Sequence, residues 1–425
     1  MRICQYFKPI SISLSPNTEP DDIWLALKLI FQPWQWKEGK TIQELENKFK
    51  EYLGEKPTFA KASAGTYAIS FNSGRSALIA ILNSLGLEKD SEVLLQAFTC
   101  NAAANPIIWS GLKPVYVDCN ETTFNIDIED LKRKITERSR AVIVQHTFGL
   151  PANMDEILEI CRQNNLILIE DCAHSLGATY KGKKVGTFGK AAFFSFSRDK
   201  VISSVYGGMV VTNDDSLAQK IKEFQEKVDF PSYFWIKQQL LHPVLMNWLI
   251  LPTYKILGKY LLVLFQKLQI LSKAVQWIEK FGEKPNYFPK RLPDALAILA
   301  LNQFKKLERF NNHRKEIANF YYNELKNTPF KLPSATEQIY LRFTIKHPRA
   351  HEIIRKAWKR NILIGDWYEC PIAPSDTKLD KMQYKIGSCP KAEKLARETL
   401  NLPTHINVLE KETQKIIAFL KLYGS

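Results

Sequence analysis

Two apolar runs, each followed by residues able to do chemistry, constrain this chain most. The first run, residues 166–169, ends in Glu170 and Asp171, and the second, residues 191–196, is followed by Lys200. Short runs rich in β-branched and aromatic residues are typical of buried strands. Open α/β folds bind their ligands at the carboxyl edge of a parallel sheet, so Asp171 and Lys200 are predicted to face one site.

An acid and a lysine at one sheet edge are the two side chains that pyridoxal phosphate chemistry requires at least. The lysine amine can form a Schiff base with this cofactor, and the acid can keep its pyridine nitrogen protonated. Taken alone, the two residues also fit a purely structural interpretation, because a strand-end Asp often caps a helix and most lysines are solvated. The motifs elsewhere in the chain decide between the two interpretations.

Several motifs accompany these residues in a fixed order. In chain order they are FNSGRSAL at 71–78, QAFT at 96–99, KPVYVD at 113–118, HTFG at 146–149, EDCAH at 170–174, FSF at 194–196, Lys200, and GGMVVTND at 207–214. In this order and spacing the chain resembles the DegT/DnrJ/EryC1/StrS family of sugar aminotransferases, closely over about residues 35–225 and more loosely over about 291–425. The resemblance implies a pyridoxal phosphate enzyme of fold type I, an α/β protein with a mainly parallel sheet in its large domain and a smaller α+β C-terminal domain.

The resemblance also implies roles for single residues. Lys200 corresponds to the lysine that binds the cofactor covalently and then moves the proton at the substrate carbon, which requires a neutral amine. Asp171 corresponds to the partner of the pyridine nitrogen. The phosphate-binding groups that the resemblance implies are Ser73, Gly74, Arg75 and Ser195.

The helix start after residue 73 is a phosphate site on physical grounds as well. Residues 67–71 form a β-type run, and Ser73-Gly74 turns it into an apolar helix that stops at Gly86. A helix that begins there presents free backbone N–H groups and its positive dipole end. A plain serine N-cap explains the same sequence, and the resemblance favours phosphate binding. Arg75 stands where the family usually has Thr, so the backbone contribution is the firmer part of this prediction.

Three further positions concern the cofactor ring and the partner subunit. His174 corresponds to the family's Gln or His beside the ring oxygen. The family's ring-stacking aromatic position holds Cys100 here, so either Cys100 or Phe98 is expected to lie over the ring. The family implies a homodimer in which an Asn reaches the phosphate of the partner, but this chain has Pro289 at that position.

Strand-like runs alternate with helical segments from residue 93 to residue 214. This alternation predicts a mainly parallel sheet with helices on both faces. Apolar spacing over residues 292–326 predicts one long helix. We expect a large cofactor-binding domain over residues 1–330 and a small C-terminal domain over residues 331–425.

Residues 228–288, called the insertion below, replace a short link of the family with aromatic, apolar and basic sequence. The longest stretch without a charged residue, 238–254, is short and interrupted by Pro243 and Pro252, which argues against a transmembrane helix. Lysines between apolar residues suggest amphipathic helices on a membrane surface. A helical arm packed on a dimer partner explains the same composition equally well.

Charge and cysteine content narrow the partners and the compartment. The 425 residues include 59 Lys and Arg against 44 Asp and Glu, a net charge of +15. This balance favours anionic partners such as nucleotide sugars or phospholipids, and no nucleic-acid-binding motif is present.

Seven scattered cysteines without a CxxC pair indicate reduced thiols and no metal site. With no signal-peptide pattern at the start, a cytoplasmic location is expected, peripheral to the inner face of the membrane if the insertion binds there.

Three functions remain open from the sequence. The leading hypothesis is a pyridoxal-phosphate-dependent aminotransferase that takes the amine from glutamate and gives it to a keto-sugar, nucleotide-linked, for cell-surface polysaccharide synthesis. The second is a sugar dehydratase on the same fold; such relatives have His in place of the lysine, so Lys200 counts against it. The third is a non-catalytic, membrane-associated or regulatory protein that works through the insertion.

Overall fold

A computed structural model describes residues 8–54, 65–334 and 338–423. The strands are β1 (Ile10–Ser11), β2 (Tyr67–Phe71), β3 (Glu92–Gln96), β4 (Thr99–Cys100), β5 (Lys113–Val117), β6 (Ser139–Gln145), β7 (Ile167–Asp171), β8 (Thr179–Tyr180), β9 (Lys183–Lys184), β10 (Ala191–Ser195), β11 (Gly208–Thr212), β12 (Phe343–Lys346), β13 (Ile362–Leu363), β14 (Ile372–Ala373) and β15 (Thr399–Leu402). The helices are α1 (Pro20–Ile30), α2 (Lys40–Leu53), α3 (Gly74–Ser84), α4 (Asn101–Trp109), α5 (Ile128–Lys134), α6 (Met154–Gln163), α7 (Asp215–Glu226), α8 (Tyr233–Leu245), α9 (Lys259–Lys267), α10 (Asp294–Phe304), α11 (Leu307–Leu325), α12 (Ala350–Lys359), α13 (Pro390–Glu398) and α14 (Glu410–Lys421).

A seven-stranded sheet forms the centre of the molecule, in the order β2-β11-β10-β7-β6-β3-β5. Strand β11 is antiparallel to both of its neighbours. The other neighbouring strands pair in parallel. The predicted α/β fold with a mainly parallel sheet is therefore confirmed.

Both faces of this sheet are buried, which explains its nearly continuous apolar strands. In β6, Ala141 and Ile143 pack into one core with residues of α3 and α4. Val142 and Val144, on the opposite face, pack with residues of α6. Successive side chains of a strand point to opposite faces, so a strand that is covered on both sides has no polar positions in its middle.

The predicted single helix over residues 292–326 is two helices, α10 and α11, separated at Lys305 and Lys306. The ammonium group of Lys306 forms ion pairs with carboxylates at the start of α1, those of Glu19, Asp21 and Asp22. The break therefore holds the N-terminal helix against the linker between the two halves of the chain.

A separate core lies in the C-terminal part and includes Phe343 of β12, Ile353 of α12 and Leu402 of β15. Tyr321 of α11 belongs to the same core. Residues from 368 to 396, by contrast, pack with the main sheet. The domain division near residue 330 stays a prediction.

The insertion is helical and bent. Helix α8 continues into a π-helical segment to Ile250, and its Trp235, Ile236 and Leu240 pack into the core beside α1 and α10. Among the described residues, no single helix is long and apolar enough to cross a membrane. The pair Tyr233–Ile250 and Tyr254–Lys267 satisfies length and composition together but bends by 111° at the break.

Candidate active site

The carboxyl edge of the sheet gathers the predicted groups. Asp171 ends β7 and Ser195 ends the adjacent parallel strand β10, in which Phe193 lies opposite Asp171. The turn from β2 into α3 reaches the same edge, because β2 runs in the same direction as β10. The ligand-binding edge predicted from the sequence is therefore where the chain places these residues.

A cavity of about 540 Å³ lies at this edge. The predicted site residues that line it are Ser73, Gly74, Arg75, Cys100, Asp171, His174, Ser195 and Lys200. Phe98 is not among the lining residues; its fully buried ring contacts Phe124, Phe148 and Tyr368. Of the two candidates for stacking on the cofactor ring, Cys100 is the one that faces the cavity.

Lys200 has the surroundings that a catalytic amine needs. Burial lowers its pKa, and the neighbouring carboxylates of Asp199 and Asp171 oppose that shift. Its backbone carbonyl accepts a hydrogen bond of 2.6 Å from the side-chain amide of Asn17. The ammonium nitrogen lies 5.1 Å from the ring centroid of Trp367. Desolvation of this kind favours the neutral amine, which is the form that takes up a proton.

Asp171 is oriented by the backbone that follows it. Its Oδ1 accepts a hydrogen bond of 3.0 Å from the N–H of Ala173. Burial raises the pKa of this carboxyl, and the Ala173 N–H and the charge of Lys200 work in the opposite direction. A protonated ring nitrogen at this position would supply the positive charge that favours the carboxylate.

His174 is a neutral group in an aromatic wall. Its Nδ1 accepts a hydrogen bond of 3.3 Å from the N–H of Phe148, and its Nε2 lies 3.4 Å from the hydroxyl of Tyr368. Burial, followed by the charges of Lys200 and Arg342, holds its pKa well below the usual range. With Nδ1 as acceptor, the proton resides on Nε2, so the ring can serve as a donor.

The start of α3 fits a phosphate group. Ser73 is the N-cap: its Oγ accepts a hydrogen bond of 3.0 Å from the N–H of Ser76. A Cβ added at Gly74 would come within 3.0 Å of the Ser195 Cβ, and one at Gly208 would come within 2.4 Å of the Ser73 carbonyl. The glycines thus let the backbone approach closely, and the first N–H groups of the helix have no acceptor within the helix. These donors suit the oxygens of a phosphate.

Arg75 lines the cavity, but its guanidinium is held by the insertion. Nη1 forms a buried ion pair of 2.7 Å with Glu279, and Nη2 donates a hydrogen bond of 2.7 Å to the carbonyl of Ala274. The charge of Arg75 is therefore already compensated within the protein. Its predicted phosphate contact remains a prediction.

Several cavity residues were not identified from the sequence. They are Arg198, Asp199, Tyr206, His242, Trp367 and Tyr368. Arg198 and Asp199 lie within the segment that leads to Lys200, so their position beside the lysine was the available signal. Tyr206 directly precedes the GGMVVTND motif, and that position was the available signal for it. His242, Trp367 and Tyr368 come from distant parts of the chain and belong to no motif. The Arg342 guanidinium, 3.4 Å from Asp199 and 3.2 Å from the ring centroid of Trp367, fixes one side of this wall.

The residues present fit pyridoxal phosphate. The strand-end carboxylate would meet the ring nitrogen, the desolvated lysine the aldehyde, and the helix start, which has no side chain in the way, the phosphate. Fold and site together define a pyridoxal-phosphate-dependent enzyme of fold type I.

Comparison with known proteins places the chain more narrowly. The sequence model of the DegT/DnrJ/EryC1/StrS aminotransferase family matches residues 19–229 and 267–421, and the chain belongs to this family. The unmatched residues 230–266 fall inside the predicted insertion, whose last part lies within the family match. The predicted family, cofactor and class of enzyme, an aminotransferase, are confirmed.

Relatives and solved structures agree with this assignment. GDP-perosamine synthase of Caulobacter vibrioides is 38% identical over 208 residues, which cover 49% of this chain and 53%, about half, of that relative. GDP-perosamine synthase of Escherichia coli O157:H7 is 29% identical over 330 residues, 75% of this chain and 84% of the relative. The structure of Helicobacter pylori PseC, an aminotransferase of pseudoaminic acid biosynthesis, superposes with a TM-score of 0.74 at 23% identity, covering 98% of this chain and 99% of that one.

Proposed function

We propose that this protein transfers the amino group of glutamate to a nucleotide-linked keto-sugar used in cell-surface polysaccharide synthesis. The observation that carries the proposal is that Lys200, Asp171 and the start of α3 line one cavity. Relatives named for GDP-perosamine synthesis support a nucleotide-linked sugar as the acceptor.

The chain's own groups divide the work of this reaction. When bound, pyridoxal phosphate supplies an electron sink that makes the proton on the amine-bearing carbon acidic. Lys200 removes that proton and returns it at the neighbouring position, a task for a neutral amine. Asp171 keeps the ring nitrogen protonated, and His174 Nε2 donates toward the ring oxygen. The Trp367 and Tyr368 side chains keep water from the reacting atoms.

The absorption spectrum tests this proposal. The purified protein is expected to show the visible band of its bound cofactor and to lose it when glutamate is added. Lys200→Ala should not undergo this change, and its kcat/KM should fall by about 10²–10⁴-fold or more. Lys190→Ala is the matched control, since that lysine is exposed and paired with Asp214 away from the cavity. A colourless protein that stays colourless with added cofactor would defeat the proposal.

A dehydratase on the same fold is the second candidate, and Lys200 argues against it. The two reactions differ in what happens to nitrogen. With ¹⁵N-glutamate and a nucleotide-linked keto-sugar, an aminotransferase incorporates the label into the sugar product. A dehydratase yields an unlabelled deoxysugar, and that product would replace the first proposal with the second.

The working form is proposed to be a homodimer in the cytoplasm. The dimer is what the resemblance to the family implies. The described cysteines are all free thiols, and Cys4 lies outside the described residues. Free thiols agree with a reducing compartment.

We further propose that the insertion contacts a membrane surface. Large apolar side chains are exposed on α9, on the segments before it, on α1 and on the turn that follows α1. They include Trp24, Phe31, Trp34, Trp248, Ile256, Leu257, Tyr260, Val263, Leu264 and Leu268. The insertion and α1 meet where the rings of Trp24 and Trp248 lie 5.1 Å apart.

The positive charge around these exposed apolar side chains favours a membrane surface over a second copy of the chain. Residues 230–278 contain five lysines and no Asp or Glu. A two-fold contact with a second copy would set these lysines against each other, whereas anionic lipid headgroups would neutralise them. The composition is that of an interfacial helix, with Trp, Tyr and Leu beside Lys.

Sedimentation with vesicles tests the membrane contact. The protein should pellet with phosphatidylserine vesicles and much less with phosphatidylcholine vesicles. Replacing Lys255, Lys259 and Lys267 by Gln should weaken binding about a hundredfold, at about 1 kcal/mol for each lysine near the surface. Gln at three exposed lysines elsewhere, Lys385, Lys411 and Lys415, is the control. Equal recovery in the supernatant with both kinds of vesicle would exclude the contact.

A further inference from the structure

Arg198 is a buried cation without a counter-ion. Only 8% of its surface is exposed. Its Nη1 donates a hydrogen bond of 2.9 Å to the Ser272 carbonyl and its Nη2 one of 2.8 Å to the Ser272 Oγ, both neutral acceptors. Its Nε, also buried, has no hydrogen-bond partner. Within the described ranges, no carboxylate lies within 4.0 Å of this guanidinium.

His242 lines the same cavity as Arg198 and has unused hydrogen-bonding capacity. The ring is 3% exposed, and neither ring nitrogen has a hydrogen-bond partner. Burial, and then the charge of Arg198, hold its pKa well below the usual range. A neutral imidazole offers one N–H donor and one acceptor. Both residues line the same cavity as Lys200.

Apart from Arg198 and Lys200, the cationic side chains described around the cavity are already paired. Arg75 pairs with Glu279, and Arg342 with Asp199. Lys280 pairs with Asp376. Arg198 therefore differs from these cations, because a buried charge that faces a cavity without a counter-ion is unfavourable until an anion binds.

A second buried arginine shows the contrast. Arg314 also lacks an acid partner, but its guanidinium donates to the side-chain oxygens of Asn311 and Asn17 and to the carbonyl of Val201. It does not line the catalytic cavity. The Nε atoms of both arginines lack a hydrogen-bond partner, so the difference lies in the terminal nitrogens. Those of Arg314 donate to three carbonyl oxygens, whereas those of Arg198 donate only to Ser272.

We propose that Arg198 and His242 form an anion subsite of the catalytic cavity that binds a phosphoryl group. The inference deepens the proposed function, because the cofactor and a nucleotide-linked sugar both carry phosphate. It also answers a departure noted in the sequence: Pro289 stands where the family's phosphate-contacting Asn is expected, and Arg75 is neutralised by Glu279. His242 lies in residues 230–266, outside the family match. The insertion thus contributes a ligand-binding group of its own.

Two binding measurements distinguish the source of the phosphate, and neither depends on turnover. The first compares the affinity of the apo-protein for pyridoxal phosphate with that for pyridoxal, by absorbance titration. The second measures binding of GDP to the cofactor-loaded protein by calorimetry. Arg198→Gln should weaken the binding of the phosphate-bearing probe by about 10–100-fold, which corresponds to the free energy of one hydrogen bond to a charged group. Arg198→Lys, which keeps the charge, should recover a large part of that loss.

The probe that responds identifies the ligand. A loss confined to pyridoxal phosphate, with pyridoxal unchanged, assigns the subsite to the cofactor. A loss confined to GDP assigns it to the substrate diphosphate. His242→Phe should weaken the binding of the same probe, and this variant replaces Arg198→Gln in the test if Arg198→Gln does not fold.

Two results would overturn the subsite. One is unchanged binding of both probes in Arg198→Gln and in His242→Phe. The other is an equal loss in Lys280→Gln, which removes a paired cation from the same cavity and should leave binding within about twofold. The proposed function has a separate test. If wild-type protein binds its cofactor but shows no spectral change with glutamate, the proposed function is wrong, and the two binding measurements still test the subsite.

Discussion

At the scale of single residues, two neighbouring acids have opposite tasks. Glu170 and Asp171 end the same strand, and alternation sends their side chains to opposite faces. Glu170 is fully buried and accepts hydrogen bonds of 2.7 Å from the N–H groups of Gly186, Phe188 and Gly189. Its Oε2 also lies 3.1 Å from His146 Nε2. Although Glu170, His146 and Cys172 are close enough together to hold a metal, these hydrogen bonds occupy the carboxylate, which anchors the turn.

Substitutions should separate the two acids. Glu170→Gln replaces a charged acceptor by a neutral one and should lower the free energy of unfolding by about 2 kcal/mol. Asp171→Asn should leave that free energy within about 1 kcal/mol of wild type and lower kcat/KM a hundredfold or more, about the size of a lost electrostatic contact. Urea unfolding and steady-state kinetics measure both effects. Equal stability of the two variants would contradict the structural role of Glu170.

At the scale of elements, the end of the insertion is fastened to the helices around the cavity. The Arg75–Glu279 ion pair joins it to α3. Asn105 of α4 donates a hydrogen bond of 2.9 Å to the Glu279 carbonyl, and Trp109 Nε1 donates one of 2.7 Å to the Gly282 carbonyl. The insertion is therefore part of the cavity wall as well as a surface element.

A double-mutant cycle tests this fastening. Glu279→Leu should cost about 3–5 kcal/mol, because it leaves the Arg75 charge buried and unpaired. Arg75→Met combined with Glu279→Leu should recover most of that loss, since an apolar pair of similar volume replaces the ion pair. Denaturant unfolding of the four proteins gives the coupling free energy. Strictly additive losses would show that the two side chains do not act as a pair.

At the scale of the whole molecule, His405 joins the two ends of the described chain. Its Nε2 donates a hydrogen bond of 2.7 Å to the carbonyl of Ser11 in β1, and its Nδ1 lies 3.3 Å from the N–H of Asn407. Burial lowers the pKa of His405 to about 3. In the unfolded chain a histidine titrates near its ordinary value of about 6.5.

The sign of the pH dependence follows from that difference. Between about pH 6.5 and 3 the unfolded state carries a proton on His405 that the folded state lacks, so stability is present above this range and falls as the pH is lowered. The loss per group is at most about 1.4 kcal/mol per pH unit. His405→Gln should reduce the slope of unfolding free energy against pH between about 6 and 4. An unchanged slope would mean that other groups, such as His174, account for the acid sensitivity.

Assembly is a second property of the whole molecule. Light scattering coupled to size exclusion should give twice the chain mass, as expected for a family homodimer. A monomer at micromolar concentration would contradict the proposed dimer. The Gln variant of Lys255, Lys259 and Lys267 should remain dimeric, because these lysines are assigned to lipid and not to the partner.

The sequence by itself determined the strands of the central sheet, the parallel direction of most of them and the edge at which Asp171 and Lys200 were expected to meet. Those features follow from local apolar patterns and from the alternation of strand and helix, which can be recognised in the sequence without knowing any long-range contact. The helix start that is proposed to bind phosphate could be predicted for the same reason, since Ser73 and Gly74 are neighbours in the chain.

Only the tertiary structure decided which side chains complete the site. Glu279 compensates Arg75 across 204 positions of sequence, Phe98 is enclosed by aromatic rings from three other segments, and His242 reaches the same cavity as Arg198 on an inserted helix. The break between α10 and α11 likewise depends on Lys306 meeting the acids of α1. Burial and charge compensation depend on residues that are distant in the sequence and close in the fold. No local sequence pattern shows which distant residue will bury or neutralise a given side chain.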